Sequence, residues 1–233
     1  MPSLMTAIWS SVGRKYINAA TGLCLCGFII VHLAGNIALL TGAKETFNLY
    51  SHFLLHKVGN AIYFAEIGLV VIFILHIISA TMVWWSKITA RPENYKKSGD
   101  AGAPSKKTFS SETMIYTGAI ILIFLVLHIL TFKYGPGIKE GYVMTVNGEQ
   151  IRDLFRLGIE IFSRPGYVIW YVFAMVVLGF HLRHGFWSAF QSLGWNHPSY
   201  MPAITGIGVL FAIIMAFGFL VIPIAIYLRG GAA

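Results

Sequence analysis

Five apolar stretches, roughly residues 16–40, 58–86, 112–133, 165–190 and 203–228, dominate this chain, and each is long enough to cross a bilayer. Hydrocarbon offers no water to satisfy backbone N–H and C=O groups, so such stretches fold as helices. The sequence therefore predicts an all-α integral membrane protein with five transmembrane helices in a bundle. It reads as a single membrane domain over residues 1–233, with little room for a soluble one. Composition agrees. Of 233 residues, 57% are hydrophobic and only 11% charged, with a mean hydropathy of +0.71, whereas a soluble domain carries about 25% charged residues.

The net charge of +8 raises the question of a nucleic-acid partner, but the basic residues fall in membrane-flanking loops. Such loops meet anionic lipid or an acidic partner protein, and no nucleic acid is expected. Lys87 to Lys107 is the most polar segment, with six basic residues and the breakers Pro92, Gly99, Gly102 and Pro104. With Arg14 and Lys15 it puts eight basic residues on one side, against eight on the other. The tie is broken by the early, dense, short segments, which orient a chain most strongly. A multi-pass protein of the bacterial cytoplasmic membrane is expected, with its N-terminus cytoplasmic and its C-terminus outside. Arg14 and Lys15 precede an apolar run with no small-x-small cleavage site, so a retained first helix is expected rather than a signal peptide. Cys24 and Cys26 form C-x-C, not C-x-x-C-H; they give no covalent haem attachment and read as packing residues.

Four of the five stretches carry one deeply placed histidine: His32, His76, His128 and His181. Each lies about sixteen to eighteen residues into its span, roughly 24–27 Å along a hydrocarbon core about 30 Å thick. Successive spans run in opposite directions. His32 and His128 are therefore expected at one depth, toward the outer face, and His76 and His181 at the other, toward the inner face. The two levels come out on the order of 15–20 Å apart before tilt. Ionisable side chains in hydrocarbon are costly and usually functional.

Neutral imidazole ligates haem iron, zinc and copper. Zinc or copper needs three or four convergent donors, and the one intramembrane carboxylate, Glu66, is about three turns from His76. A porphyrin needs only two axial nitrogens, one from each face. Small residues near the histidines (Gly35, Ser79, Ala80, Gly179 and Gly185) would thin the helices for a flat macrocycle, although such residues also mediate ordinary helix contacts. His184, three residues beyond His181, competes with it as a ligand and otherwise suits a propionate or quinone contact. Between the third and fourth spans, Ile151, Leu154, Phe155, Gly158, Ile159 and Phe162 form a stripe at helical spacing. It reads as a short amphipathic helix, lying along the membrane surface or packed on the bundle.

The residue strings around these histidines resemble a known family. His32-Leu33-Ala34-Gly35-Asn36, Phe47-Asn48, His52-Phe53, His76 with Ser79 running on to Lys87, Leu122-Ile123-Phe124 to His128, and Phe180-His181 with Gly185, Trp187-Ser188 and Gly194 match its pattern. The family is the di-haem cytochrome b membrane anchor of succinate:quinone oxidoreductases and fumarate reductases, in its five-helix, single-polypeptide form. The resemblance covers nearly the whole chain and favours His181 over His184 as the ligand. It implies two haem b groups, the outer held by His32 and His128 and the inner by His76 and His181. It also implies a flavoprotein subunit and an iron–sulfur subunit docked on the cytoplasmic face, with menaquinone or another quinone as substrate and a higher oligomer left open. Some menaquinone-using members carry a glutamate two residues before the fourth haem histidine. Here Gly179 stands there, which leaves that proton route without its carboxylate.

Arg14, Arg183 and His184 are candidates for the haem propionates. Ser11 with Arg14 at the inner face, or Asn36, His52, His56 and Glu66 at the outer face, are candidates for the quinone. In this reading the chain is the quinone-reducing membrane part of an enzyme and holds no succinate site. The rivals are a cytochrome b of another respiratory complex (fumarate reductase or hydrogenase type) and a histidine-lined metal or haem transporter.

Overall fold

The computed structural model describes residues 4–90 and 108–230; most of the expected basic loop, Arg91 to Lys107, lies outside the described residues. Five helices are long and apolar enough to span a membrane: α2 (Ser11–Thr41), α4 (Ala61–Thr89), α6 (Met114–Phe132), α8 (Pro165–Ser192) and α9 (Met201–Leu228). The protein is a multi-pass, all-α membrane bundle. Shorter helices α1 (Leu4–Ile8), α3 (Lys44–His52), α5 (Phe109–Glu112) and α7 (Leu154–Phe162) lie between or before the spans. A π-helical turn, Phe53–Lys57, follows α3.

The residues group into two compact units. The first comprises Met1–Gly27, Leu69–Gly118 and Phe180–Ala212, and the second Phe28–Gly68, Ala119–Gly179 and Ile213–Ala233. In the first unit, the Ser10 hydroxyl caps α2 by accepting the Gly13 N–H at 3.0 Å. Thr108 and Ser111 make a reciprocal capping box at α5. Ser79, 1% exposed, donates to Asn18 at 3.4 Å and so links α4 to α2.

The second unit has a continuous apolar core. Leu39, Phe47, Phe155, Leu157, Phe162, Tyr171 and Ile222 are among its members. The amphipathic stripe does form helix α7, and six of its nine residues are buried. Its apolar face therefore packs into protein; Ile151, however, belongs to a strand rather than to the helix.

That strand is a feature the periodicity of the sequence does not announce. β1 (Val143–Val146) and β2 (Glu149–Arg152) pair antiparallel, with Val146 opposite Glu149. Asn147 (φ 51°) and Gly148 (φ 81°) form the two-residue turn. Positive φ at both central positions matches the right-handed twist of the strands, which is why Asn-Gly serves there.

α7 is anchored by one buried polar knot. Asp153 caps it by accepting the Arg156 N–H at 3.0 Å. Asn48, 0% exposed, donates to Asp153 Oδ1 at 2.8 Å and accepts the Phe155 N–H at 2.9 Å. Lys44 reaches Asp153 Oδ2 at 2.8 Å. The Phe47-Asn48 pair thus has a structural duty: the phenylalanine enters the core and the asparagine ties α3 to the start of α7.

Candidate functional site

The four intramembrane histidines form two pairs, each within one unit. In the first unit His76 on α4 and His181 on α8 face one another with ring centroids 6.5 Å apart and planes at 72°. In the second, His32 on α2 and His128 on α6 stand 5.8 Å apart at 88°. Two imidazoles on opposite sides of one metal, with bonds of about 2.0 Å and about 1.1 Å from ring nitrogen to centroid, need roughly 6.2 Å between centroids. The observed spans fall within about half an ångström of that value. Among the described residues no cluster of three or more His, Cys, Asp or Glu side chains could hold a metal ion. The donor set is therefore two nitrogens per pair. That is short for zinc or copper and sufficient for a macrocycle that supplies its own four equatorial donors.

Hydrogen-bond accounting fixes the tautomer of the first pair. The Thr21 hydroxyl lies 2.6 Å from the Ile17 carbonyl and 3.2 Å from His76 Nδ1. A hydroxyl has one proton, and the carbonyl can only accept it, so Thr21 Oγ1 accepts from His76 Nδ1–H. Thr117 repeats the arrangement on α6. It donates to the Thr113 or Met114 carbonyl at 3.1 or 3.0 Å and accepts from His181 Nδ1 at 3.1 Å. Both histidines thereby keep an unprotonated Nε2, the lone pair a metal requires.

Each threonine is followed by a glycine that leaves room for the ring. A Cβ on Gly22 would lie 3.3 Å from His76 Cε1, and one on Gly118 would lie 3.5 Å from His181 Cε1. The expected thinning residues have other neighbours. Gly35 makes way for the Tyr50 ring, Ser79 bonds Asn18, and Gly185 faces Met114.

The second pair sits in an aromatic setting instead. Phe28 stacks on His32 at 5.4 Å and Phe124 on His128 at 5.6 Å, with Phe219 and Phe132 beside them. Tyr171 hydroxyl and His128 Nδ1 are 3.0 Å apart. Among the described residues three buried ring nitrogens lack a hydrogen-bond partner: His52 Nε2, His184 Nδ1, three residues beyond His181, and Trp170 Nε1, next to Tyr171. The Trp170 ring contacts the same Phe124 that stacks on His128. Unmatched buried donors close to both pairs suit a ligand bearing carboxylates, so the residues present fit a haem.

The remaining candidates are dispersed. Arg14 donates to Ser86 at 3.1 Å and Arg183 to Ser110 at 3.2 Å, each cross-linking two segments of the first unit. Ser11 is exposed at the start of α2, and Ser10 rather than Ser11 accepts from Arg14, through its carbonyl. Asn36 bonds the His32 carbonyl at 2.8 Å. Glu66 is paired with Lys133 at 2.6 Å. His52 and His56 stack at 4.7 Å, while His52 Nε2 lies 3.2 Å from Glu149 without hydrogen-bond alignment. The outer quinone set thus comes together only at His52 and His56.

Thr21, Thr117, Tyr171 and Trp170 escaped the sequence reading. The repeated Thr-Gly pair inside two apolar spans was the available signal, a hydroxyl and a missing side chain together where neither is needed for packing. Neither a family model, nor a curated protein, nor a solved structure matches this chain.

Proposed function

We propose that this chain is the cytochrome b membrane anchor of a succinate:quinone oxidoreductase, holding two bis-histidine haem b groups and passing electrons to menaquinone or another membrane quinone. The observation that carries the reading is the pairing of four intramembrane histidines at bis-imidazole span, with Nε2 left free in both members of one pair. The residue strings shared with the di-haem family supply the choice of complex.

Held by His32 with His128 and by His76 with His181, haem would supply reversible one-electron transfer. The chain's own residues orient and insulate. Thr21 and Thr117 hold the rings of His76 and His181 by their Nδ1 protons, and Gly22 and Gly118 admit them. Phe28, Phe124 and Phe132 exclude water around His32 and His128. His184 and Trp170 offer N–H groups to carboxylates. In this reading the flavoprotein and iron–sulfur partners dock on the cytoplasmic side of a bacterial membrane, where the N-terminus lies, and dicarboxylate chemistry takes place on them.

The test is the absorption spectrum of the purified full chain, reduced minus oxidised, with pyridine haemochrome quantification. Two low-spin b-type haems per chain are expected. A preparation that supports quinone reduction with its partners yet carries no haem ends the reading.

Thr117→Val tests the tautomer lock. Losing the acceptor for His181 Nδ1–H makes the imidazole a weaker donor, so one of the two midpoint potentials should rise. Haem affinity at that position should fall about tenfold or more, and Thr117→Ser should restore both. Unchanged potentials in the valine variant would show that Thr117 only packs.

A further inference from the structure

Within the second unit, the segment joining α6 to α8 closes over a cavity of about 430 Å³. Leu127, Leu130 and Leu157 form its apolar wall, and Tyr142, Glu160 and Arg164 its polar rim. Leu127 and Leu130 are 46% and 55% exposed near the C-terminal end of a span, so the wall continues onto a surface that faces lipid. The rim is pre-formed: Arg152 donates to the Pro136 carbonyl at 2.9 Å and to the Gly135 carbonyl at 3.1 Å. Gly135 itself tolerates no side chain, because a Cβ there would collide with the Thr131 carbonyl.

Charge decides the occupant. Glu160 has both oxygens committed, one to the Tyr142 hydroxyl at 2.5 Å and the other to Arg156 Nε at 2.7 Å. Those bonds, Tyr142 first, hold its carboxyl below the usual range, so it is ionised and balances Arg156. The Arg164 guanidinium, by contrast, makes no hydrogen bond or ion pair among the described residues. Arg164 also acts electrostatically on Glu160, so one carboxylate serves two guanidiniums and the rim keeps one excess positive charge at the mouth of an apolar slot open to hydrocarbon. A monoanionic head on an acyl chain satisfies both halves. A neutral quinone would leave that charge unmet.

We propose that this cavity is a binding site for an anionic glycerophospholipid, with its phosphodiester on Arg164 and an acyl chain along Leu127 and Leu130. The site stands apart from the haem reading and needs only the spanning helices. One acyl chain seated there would complete the apolar surface that α6 and the α7 segment leave open.

The test uses native mass spectrometry of the delipidated full chain in detergent, titrated with dioleoylphosphatidylglycerol or dioleoylphosphatidylcholine. The wild type should retain one phosphatidylglycerol in preference to phosphatidylcholine. Arg164→Gln should weaken phosphatidylglycerol about fivefold, the worth of one cation at a membrane surface. Leu130→Trp, which fills the slot, should weaken both lipids, whereas Lys139→Gln, on the same segment outside the cavity, should change neither. Equal retention of the two lipids, an Arg164→Gln variant that binds like the wild type, or an equal loss in Lys139→Gln overturns the proposal. Displacement of the lipid by a menaquinone-type naphthoquinone, lost in Arg164→Gln, would make this a quinone site instead.

Discussion

If the proposed function holds, alanine at His128 is expected to remove one of two b-type haems, leaving about half of the Soret absorbance, and alanine at His181 to remove the other. Each histidine faces one partner across its own unit, so removing it leaves a single axial nitrogen and a void where the ring stood. His128 is the cleaner case. Its neighbours are Phe124, Phe132 and Tyr171, and none of these supplies a neutral nitrogen. His181 has His184 three residues away, so His181→Ala is paired with His181→Ala/His184→Ala to keep a substitute ligand from filling the role. The two single variants should lose different components of a potentiometric titration, because one pair is set among threonine hydroxyls and the other among aromatic rings. If His128→Ala retains both haems at unchanged potentials, His32 and His128 are not an axial pair.

Asp153→Ala is expected to destabilise the detergent-solubilised protein by about 2–4 kcal/mol. The helix cap accounts for about 1 kcal/mol of that. The amide of Asn48, left buried without its acceptor, adds on the order of 1–3 kcal/mol. Lys44 is 47% exposed and adds little once freed. The same knot gives an acid limb to stability. Burial works to raise the Asp153 pKa, but bonds from Lys44, the Arg156 N–H and Asn48 outweigh it and hold the carboxyl below its usual value. A carboxyl depressed in the folded state contributes stability above its unfolded pKa and loses it as pH falls through the folded one. Thermal unfolding between pH 7 and pH 3 should show that loss in the wild type and a flatter profile in Asp153→Asn. Equal melting of wild type and Asp153→Ala would reduce the knot to a surface contact.

Several particulars separate what was legible in the chain from what was not. The existence of the spans follows from hydropathy because a bilayer permits one local solution, a helix about twenty residues long or more, while their ends differ from the expected ones by up to about five residues, as at Ser11. The pairing of His32 with His128 and of His76 with His181 follows from depth and alternating direction, since rise per residue is constant along a helix. The hairpin was missed although Asn147-Gly148 marks it, because four-residue strands hold too few alternations to stand out beside an amphipathic stripe. Ile151 reads as part of the helix for that reason, but it is a buried strand residue paired with Met144. The partners of Glu66 and Arg14 were also beyond reach. Each reaches a residue far along the chain, Lys133 and Ser86, and sequence periodicity carries no information about which span lies alongside which.

Length, hydropathy and the register of four histidines are one-dimensional properties, so the sequence by itself determined five membrane helices and which histidines pair. Which hydroxyl meets which Nδ1, that Asn48 anchors α7, and that Arg156 and Arg164 share one carboxylate beside an apolar cavity were decided only by the tertiary structure. Each depends on side chains from separate segments arriving within about 3 Å of one another, a condition of hydrogen-bond geometry that no single segment encodes.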